Sequence, residues 1–120
     1  MTNNLIEQFK ENAKIHFDID YTDMRSVRRG NKAAYKLFEL AEKLKDHNQI
    51  NEFAELLHDN HHKVDLWTAH ILLERVKVKD VLAEKALEII RLYANAEDVN
   101  AYGEKFWLQE WSKRCAQQKK

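Results

Sequence analysis

Residues 56–74 have the sequence LLHDNHHKVDLWTAHILLE, and this stretch decides the fold. It begins as the apolar end of one helix, passes through a short polar turn, and continues as a second helix that is apolar around most of its circumference. A helix with so wide an apolar surface has to be covered by neighbouring helices on several sides. The stretch is therefore typical of one unit in an array of stacked helices.

The composition indicates an all-α fold. The chain has no Pro and only two Gly, Gly30 and Gly103, so tight turns and Gly-rich phosphate loops are nearly excluded. It is rich in Ala, Leu, Glu and Lys, which favour helices. Its length of 120 residues, without an internal linker, predicts a single domain over residues 1–120.

Apolar residues recur at helical spacing in five or six segments. The longest predicted helix runs from about Met24 to Lys45, with Thr22 or Asp23 as its N-cap. Asp80 is predicted to cap a fifth helix and Asp98 to begin a sixth. Trp107 and Trp111 share an arc of that last helix with Leu108 and are predicted to lie in the core.

Charge and targeting signals indicate a cytoplasmic protein with no membrane association. Lys and Arg together number 20, as do Asp and Glu, so no global field attracts nucleic acid or anionic lipid. The single cysteine, Cys115, fits a reducing compartment. The N-terminus shows no signal peptide, and no apolar run approaches the ~20 residues of a membrane span.

The turn at 59–63, followed by Val64 and a Leu- and Ala-rich helix, resembles a HEAT repeat. The chain as a whole is similar to a small bacterial family of single-domain HEAT-like proteins of unknown function. Three segments carry this resemblance: residues 28–38 (RRGNKAAYKLF), residues 56–74, and residues 86–90 (ALEII) with Ala101, Leu108 and Trp111. The resemblance implies a right-handed superhelical stack of five to six antiparallel helices. Asp65 departs from the pattern, because HEAT repeats usually carry a basic residue after the valine.

The chain is also similar in size and style to α-helical immunity proteins of bacterial toxin systems, including contact-dependent growth inhibition. This second resemblance implies a non-enzymatic protein that binds and neutralises a cognate toxin, with a nuclease as the expected target. It implies neither a cofactor nor a metal. The sequence gives no indication of the oligomeric state.

A local acidic surplus suggests where such a partner would bind. Residues 48–76 hold five acids against two bases, a charge of −3 in a neutral protein. A helical wheel places Glu52, Glu55 and Asp59 on one stripe, which is either a solvated face or an electrostatic docking surface. Beyond the turn, an edge of the next helix carries a tryptophan beside polar residues. The predicted partner contacts are Glu52, Glu55, Asp59, Asp65, Trp67, His70 and Glu74.

Two other classes of function remain open at this point. The local basic cluster Arg25, Arg28, Arg29 and Lys32 is a candidate for binding nucleic acid, although Asp18, Asp20 and Asp23 directly precede it. The histidines His58, His61 and His62, together with Asp65, are candidate zinc ligands. Because neighbouring His61 and His62 point apart, the alternative is a polar turn in which Asp59 or Asn60 caps the next helix.

Overall fold

The first two helices form a long hairpin, and the hydrogen bonds at its corner follow the predicted capping chemistry. The computed structural model describes residues 2–96 and 101–118. Asp23 is the N-cap of the second helix, and its side chain accepts a hydrogen bond from the Arg25 N–H at 2.9 Å. Thr22, the other predicted cap, instead donates its hydroxyl to Asp20 at 2.6 Å.

Six α-helices and three shorter helical turns make up the described part of the chain, in which there is no β-strand. The helices are α1 (Thr2–Phe17), α2 (Met24–Asp46), α3 (Ile50–Ala54), α4 (Val64–Ile71), α5 (Asp80–Ala94) and α6 (Ala101–Gln118). The shorter turns are 3-10 helices at Glu55–His58 and His61–Lys63 and a π-helical turn at Leu72–Val76. The prediction of an all-α fold is confirmed. The predicted beginning of the last helix, Asp98, lies outside the described residues.

The core lies between the hairpin of α1 and α2 and the layer formed by α4 and α5. Contacts run from α1 to α2, from α4 to α5 and from α5 to α6, and α1 also reaches α4. Phe9 of α1 meets Phe53 of α3 edge to face, with ring centroids 5.0 Å apart. The molecule measures 45 × 37 × 23 Å.

The α4 segment occupies the centre, as the apolar pattern of residues 56–74 predicts. Seven apolar or small residues of α4 and of the π-helical turn that follows it are buried: Val64, Leu66, Thr68, Ala69, Ile71, Leu72 and Leu73. Because α1, α5 and the 3-10 turn before α4 all pack against it, its polar side chains are confined to a narrow arc. That arc positions the candidate site.

Local backbone geometry departs from the predicted helices at three places. The third helix is α-helical only to Ala54 and continues as a 3-10 turn, so the predicted carboxylate stripe does not follow one regular α-helix. The α4 helix widens into the π-turn, where the N–H groups of Lys77 and Val78 both donate to the Leu72 carbonyl. Asp80 begins α5 without a side-chain capping bond, so its predicted capping role is wrong.

Candidate binding site

An open cavity of about 560 Å³ lies where the end of α1, the face of α4 and the beginning of α6 meet. Five aromatic residues line it: Phe17, Tyr21, Phe38, Trp67 and Trp107. The polar lining residues are His16, His62, Lys63, His70, Glu74 and Glu104, and Leu66 and Ile71 complete it. Its volume falls in the range of about 300–1,000 Å³ found for ligand pockets, and its mixture of rings with a few polar groups is typical of such sites.

Trp67 forms the central aromatic wall. Its ring lies edge to face with His16 of α1, with centroids 5.0 Å apart, and similarly with Phe38 of α2 at 6.1 Å. Two partners on different helices fix the orientation of the indole, because edge-to-face contact is a preferred arrangement of aromatic rings. A fixed aromatic wall offers contact area at little entropic cost.

Trp107 and two carboxylates form the opposite wall. The indole N–H of Trp107 donates to Glu74 Oε1 at 3.0 Å, and its ring stacks on Trp111 with centroids 5.1 Å apart. Glu104 Oε1 lies 2.7 Å from His70 Nε2. These contacts join the α4 segment to α6 through side chains 33 and 34 positions apart in sequence.

The turn before α4 brings one histidine, His62, and one lysine, Lys63, to the cavity. His62 and Lys63 have φ values of 54° and 59°, two successive side-chain-bearing residues in the left-handed region. Such conformations cost about 1–3 kcal/mol each and persist where the surrounding structure imposes them.

Burial, followed by the nearby charge of Lys63, lowers the pKa of His16. His16 is therefore uncharged at neutral pH.

Three of the predicted partner contacts meet in this cavity. Trp67, His70 and Glu74 all line it, along the polar edge of the α4 segment that the helical wheel predicts. Glu52 and Glu55 are exposed and do not line it, and neither forms an ion pair within the described residues. The binding role of all five residues stays a prediction.

The Asp59 carboxylate interacts with neighbouring residues of the protein itself. Its Oδ1 accepts a hydrogen bond from the His61 N–H at 3.0 Å and lies 2.9 Å from His61 Nδ1, while Oδ2 lies 3.9 Å from Lys10. Burial raises the pKa of this carboxyl, but the bonds from His61 and the charge of Lys10 outweigh burial and leave the pKa lowered. Asp59 thus stabilises a polar turn through His61. The predicted capping of the next helix by Asp59 or Asn60 is wrong, because Lys63 is the N-cap of α4 and no side chain caps that helix.

Asp65 is placed inside the molecule, where a partner has no access to it. It is 7% exposed, and its carboxylate accepts hydrogen bonds from the Tyr93 hydroxyl at 2.7 Å and the Leu66 N–H at 2.8 Å. Burial raises the pKa of Asp65 despite these bonds. Asp65 therefore joins α4 to α5 inside the molecule, and its predicted role as a partner contact is wrong.

The other two candidate sites do not gain support from the structure. Arg25, Arg28, Arg29 and Lys32 are exposed on α2, away from the cavity, and form no ion pair in the described part of the chain. Among residues 2–96 and 101–118, no three His, Cys, Asp or Glu side chains are grouped to hold a metal ion. His61 instead bonds Asp59, and His62 lies edge to face with Phe17.

Sequence reasoning missed the walls contributed by α1 and α6. His16, Phe17 and Glu104 carry no motif. Trp107, predicted to lie in the core, is half-buried and packs against the core, but it also lines the cavity. Tyr102 and Phe106, on the same helix as Trp107, are 83% and 62% exposed. Only the three-dimensional meeting of α4 with α6 reveals the carboxylate pair.

Comparisons with protein-family models, with curated proteins and with solved structures gave no match. None of the helices in the described residues has both the length and the apolar character that crossing a membrane requires.

Proposed function

We propose that this chain is a non-enzymatic protein-binding domain whose contact surface is centred on the aromatic cavity. The observation that carries the proposal is the meeting of Trp67, His70 and Glu74 with Glu104 and Trp107 around one open space of about 560 Å³. The polar groups are paired with one another: Glu104 with His70 and Glu74 with Trp107. Such an arrangement is suited to recognition, since it holds rings and hydrogen-bonding groups in fixed positions.

The rim of the cavity adds exposed aromatic surface. Phe17 is 52% and Tyr21 is 76% exposed, and both lie beside the half-buried Trp67. Trp and Tyr are enriched among the few residues that contribute most of the affinity in protein interfaces. A partner that covers this rim would bury these rings together with the cavity.

Glu52 and Glu55 provide a second, electrostatic contact in this proposal. Both carboxylates are exposed and unpaired within the described residues, so they retain their full attraction for a basic surface. Charges of this kind chiefly raise the association rate and select the partner. The acidic surplus of residues 48–76 thus supports a basic partner.

The most concrete form of the proposal is a cytoplasmic immunity protein of a bacterial toxin system, with a HEAT-like superhelical stack as its scaffold. Its support is the similarity in size and style to such proteins and the acidic residues Glu52 and Glu55. The nucleic-acid cleft of a nuclease toxin is basic, and an acidic protein surface is complementary to it.

The test is affinity capture from the source cells with the tagged chain, followed by binding measurements on purified partners. Tyr21→Ala removes a rim ring that is mostly exposed, and Glu52→Lys combined with Glu55→Lys reverses the acidic contact. A matched control combines Glu42→Lys with Glu88→Lys, which change carboxylates on α2 and α5 that are likewise exposed and unpaired within the described residues.

We expect Tyr21→Ala to lower the affinity for a directly bound partner by about tenfold or more, as is found for residues that anchor an interface. The Glu52/Glu55 reversal should slow association, and the control pair should bind as the wild type does. For a nuclease partner, the wild-type chain should also block cleavage in proportion to binding. A direct partner whose affinity is the same for all three variants would contradict the proposal.

A further inference from the structure

Glu104 is a partly buried carboxylate that lacks a fully charged partner. Its side chain is 19% exposed, and the group it contacts is the imidazole of His70. No lysine or arginine of residues 2–96 and 101–118 forms an ion pair with it. A carboxylate withdrawn from water is costly unless a cation and hydrogen bonds compensate it. The cavity therefore contains a negative charge that a cationic occupant would stabilise.

Both cavity carboxylates also keep an oxygen free. Glu104 uses Oε1 for His70, and Glu74 uses Oε1 for Trp107 and, at 3.4 Å, for Arg114. Within the described residues, neither Oε2 has a hydrogen-bond partner. These acceptors suit a guanidinium group, which carries five donors in a planar fork and binds carboxylates in pairs of hydrogen bonds.

Two aromatic rings at the cavity or beside it already lie against guanidinium groups: Phe38, which lines it, and Trp111, which stacks on the lining Trp107. Arg75 lies over the ring of Phe38 at 4.6 Å from its centroid, and Arg114 lies over Trp111 at 5.1 Å. A guanidinium is attracted to an aromatic face both electrostatically and by planar stacking. Trp67, Phe17 and Tyr21 offer the same chemistry to an occupant from outside.

The remaining charges of the lining favour a cation over an anion. Lys63 is the only lysine or arginine among the described lining residues, against two glutamates. His16 adds no positive charge at neutral pH, because burial and Lys63 lower its pKa. Of the two carboxylates, Glu74 has Arg114 as an ion-pair partner at 3.4 Å, whereas Glu104 has only His70, so an anionic occupant would meet the uncompensated charge of Glu104.

We propose that the cavity receives an arginine side chain of the partner protein, whose guanidinium binds the free oxygens of Glu104 and Glu74 and packs against Trp67. This inference rests on the protein-binding function proposed above and specifies the chemistry of the anchor. Arginine fits better than lysine, because a planar guanidinium stacks and forms paired hydrogen bonds whereas an ammonium acts as a point charge.

The test compares N-acetyl-L-arginine methylamide with N-acetyl-L-citrulline methylamide, which has nearly the same shape but a neutral urea in place of the guanidinium. Binding is followed by NMR through the indole N–H resonances of Trp67 and Trp107. Glu104→Gln removes the charge while keeping an acceptor for His70. Glu88→Gln, which changes an exposed and unpaired carboxylate on α5, is the matched control.

The arginine probe should bind with a Kd on the order of millimolar and about tenfold more tightly than the citrulline probe. Glu104→Gln should remove most of that preference, and Glu88→Gln should leave it intact. Melting curves and amide spectra establish that both variants are folded.

Equal affinity for the two probes would overturn the arginine assignment, while binding itself would leave the cavity as a recognition site. Absence of any indole shift up to about 50 mM arginine probe, far above the expected millimolar Kd, would also overturn it. After either of these results, the affinity of Tyr21→Ala for the captured partner, compared with that of the wild type, decides independently whether the proposed protein-binding function stands.

Discussion

Replacing Tyr93 with Phe tests how the buried Asp65 is accommodated between α4 and α5. The hydroxyl of Tyr93 donates to Asp65 Oδ1 at 2.7 Å, and Asp65 is 7% exposed. In Tyr93→Phe the ring remains, but the carboxylate loses its side-chain donor and keeps backbone donors, chiefly the Leu66 N–H at 2.8 Å. The substitution therefore isolates one charge-assisted hydrogen bond in a largely dry location.

We expect this loss to lower the free energy of unfolding by about 2 kcal/mol at neutral pH, since hydrogen bonds to charged groups contribute about 1.5–3 kcal/mol. For a domain of this size, that corresponds to a fall in Tm of about 8 °C. Urea unfolding followed by tryptophan fluorescence measures the free energy, and circular dichroism measures the Tm.

The loss of stability caused by Tyr93→Phe should become smaller as the pH falls. Burial raises the pKa of Asp65 in the folded chain, so the folded state binds a proton more tightly than the unfolded state does. The cost of the buried charge is therefore fully present above the folded-state pKa, decreases as the pH falls below it, and is absent below the pKa of the unfolded chain. Because the Tyr93 hydrogen bond lowers the pKa of Asp65, its removal raises that pKa further. The stability difference between wild type and variant should then decrease as the pH falls from about 7 towards 4, to about the 1 kcal/mol of a neutral hydrogen bond.

Asp65→Asn is the matched control. It keeps an acceptor for the Tyr93 hydroxyl and the Leu66 N–H but removes the charge, so its stability should not depend on this titration. In that background Tyr93→Phe should cost only about 1 kcal/mol, the contribution of a neutral hydrogen bond. A loss under about 0.5 kcal/mol in the wild-type background, or one that is constant with pH, would refute the reasoning.

Two further substitutions test the corner between α1 and α2. A Cβ added at Gly30 would meet the Cδ1 and Cγ1 atoms of Ile19, so Gly30→Ala should lower the free energy of unfolding by about 1 kcal/mol despite the higher helix propensity of alanine. In an Ile19→Ala background, where those atoms are absent, Gly30→Ala should instead stabilise the protein. Urea unfolding that shows stabilisation in both backgrounds would contradict this packing. Asp23→Ala should cost about 1 kcal/mol in thermal melts through loss of the N-cap, and an unchanged Tm would show that the bond to Arg25 contributes nothing.

The helices could be predicted because their signals are local. Periodic apolar residues gave the interior face of α2, whose Ala33, Leu37, Leu40 and Leu44 are all buried. The Asp23 cap follows from a side-chain bond spanning two residues. The 3-10 and π-helical turns could not be predicted, since they depend on how α4 is packed among α1, α5 and the preceding turn.

Part of the candidate site could likewise be predicted from local sequence signals, and part of it could not. The sequence by itself determined that the α4 segment has one polar edge, which carries Trp67, His70 and Glu74, because helical periodicity sorts these residues onto one face. Only the tertiary structure decided that this edge faces Glu104 and Trp107 across a cavity and that Asp65 turns inwards to Tyr93. These contacts join residues 28 to 34 positions apart, and a separation of that length carries no sequence period. They exist because helix packing brings the residues together.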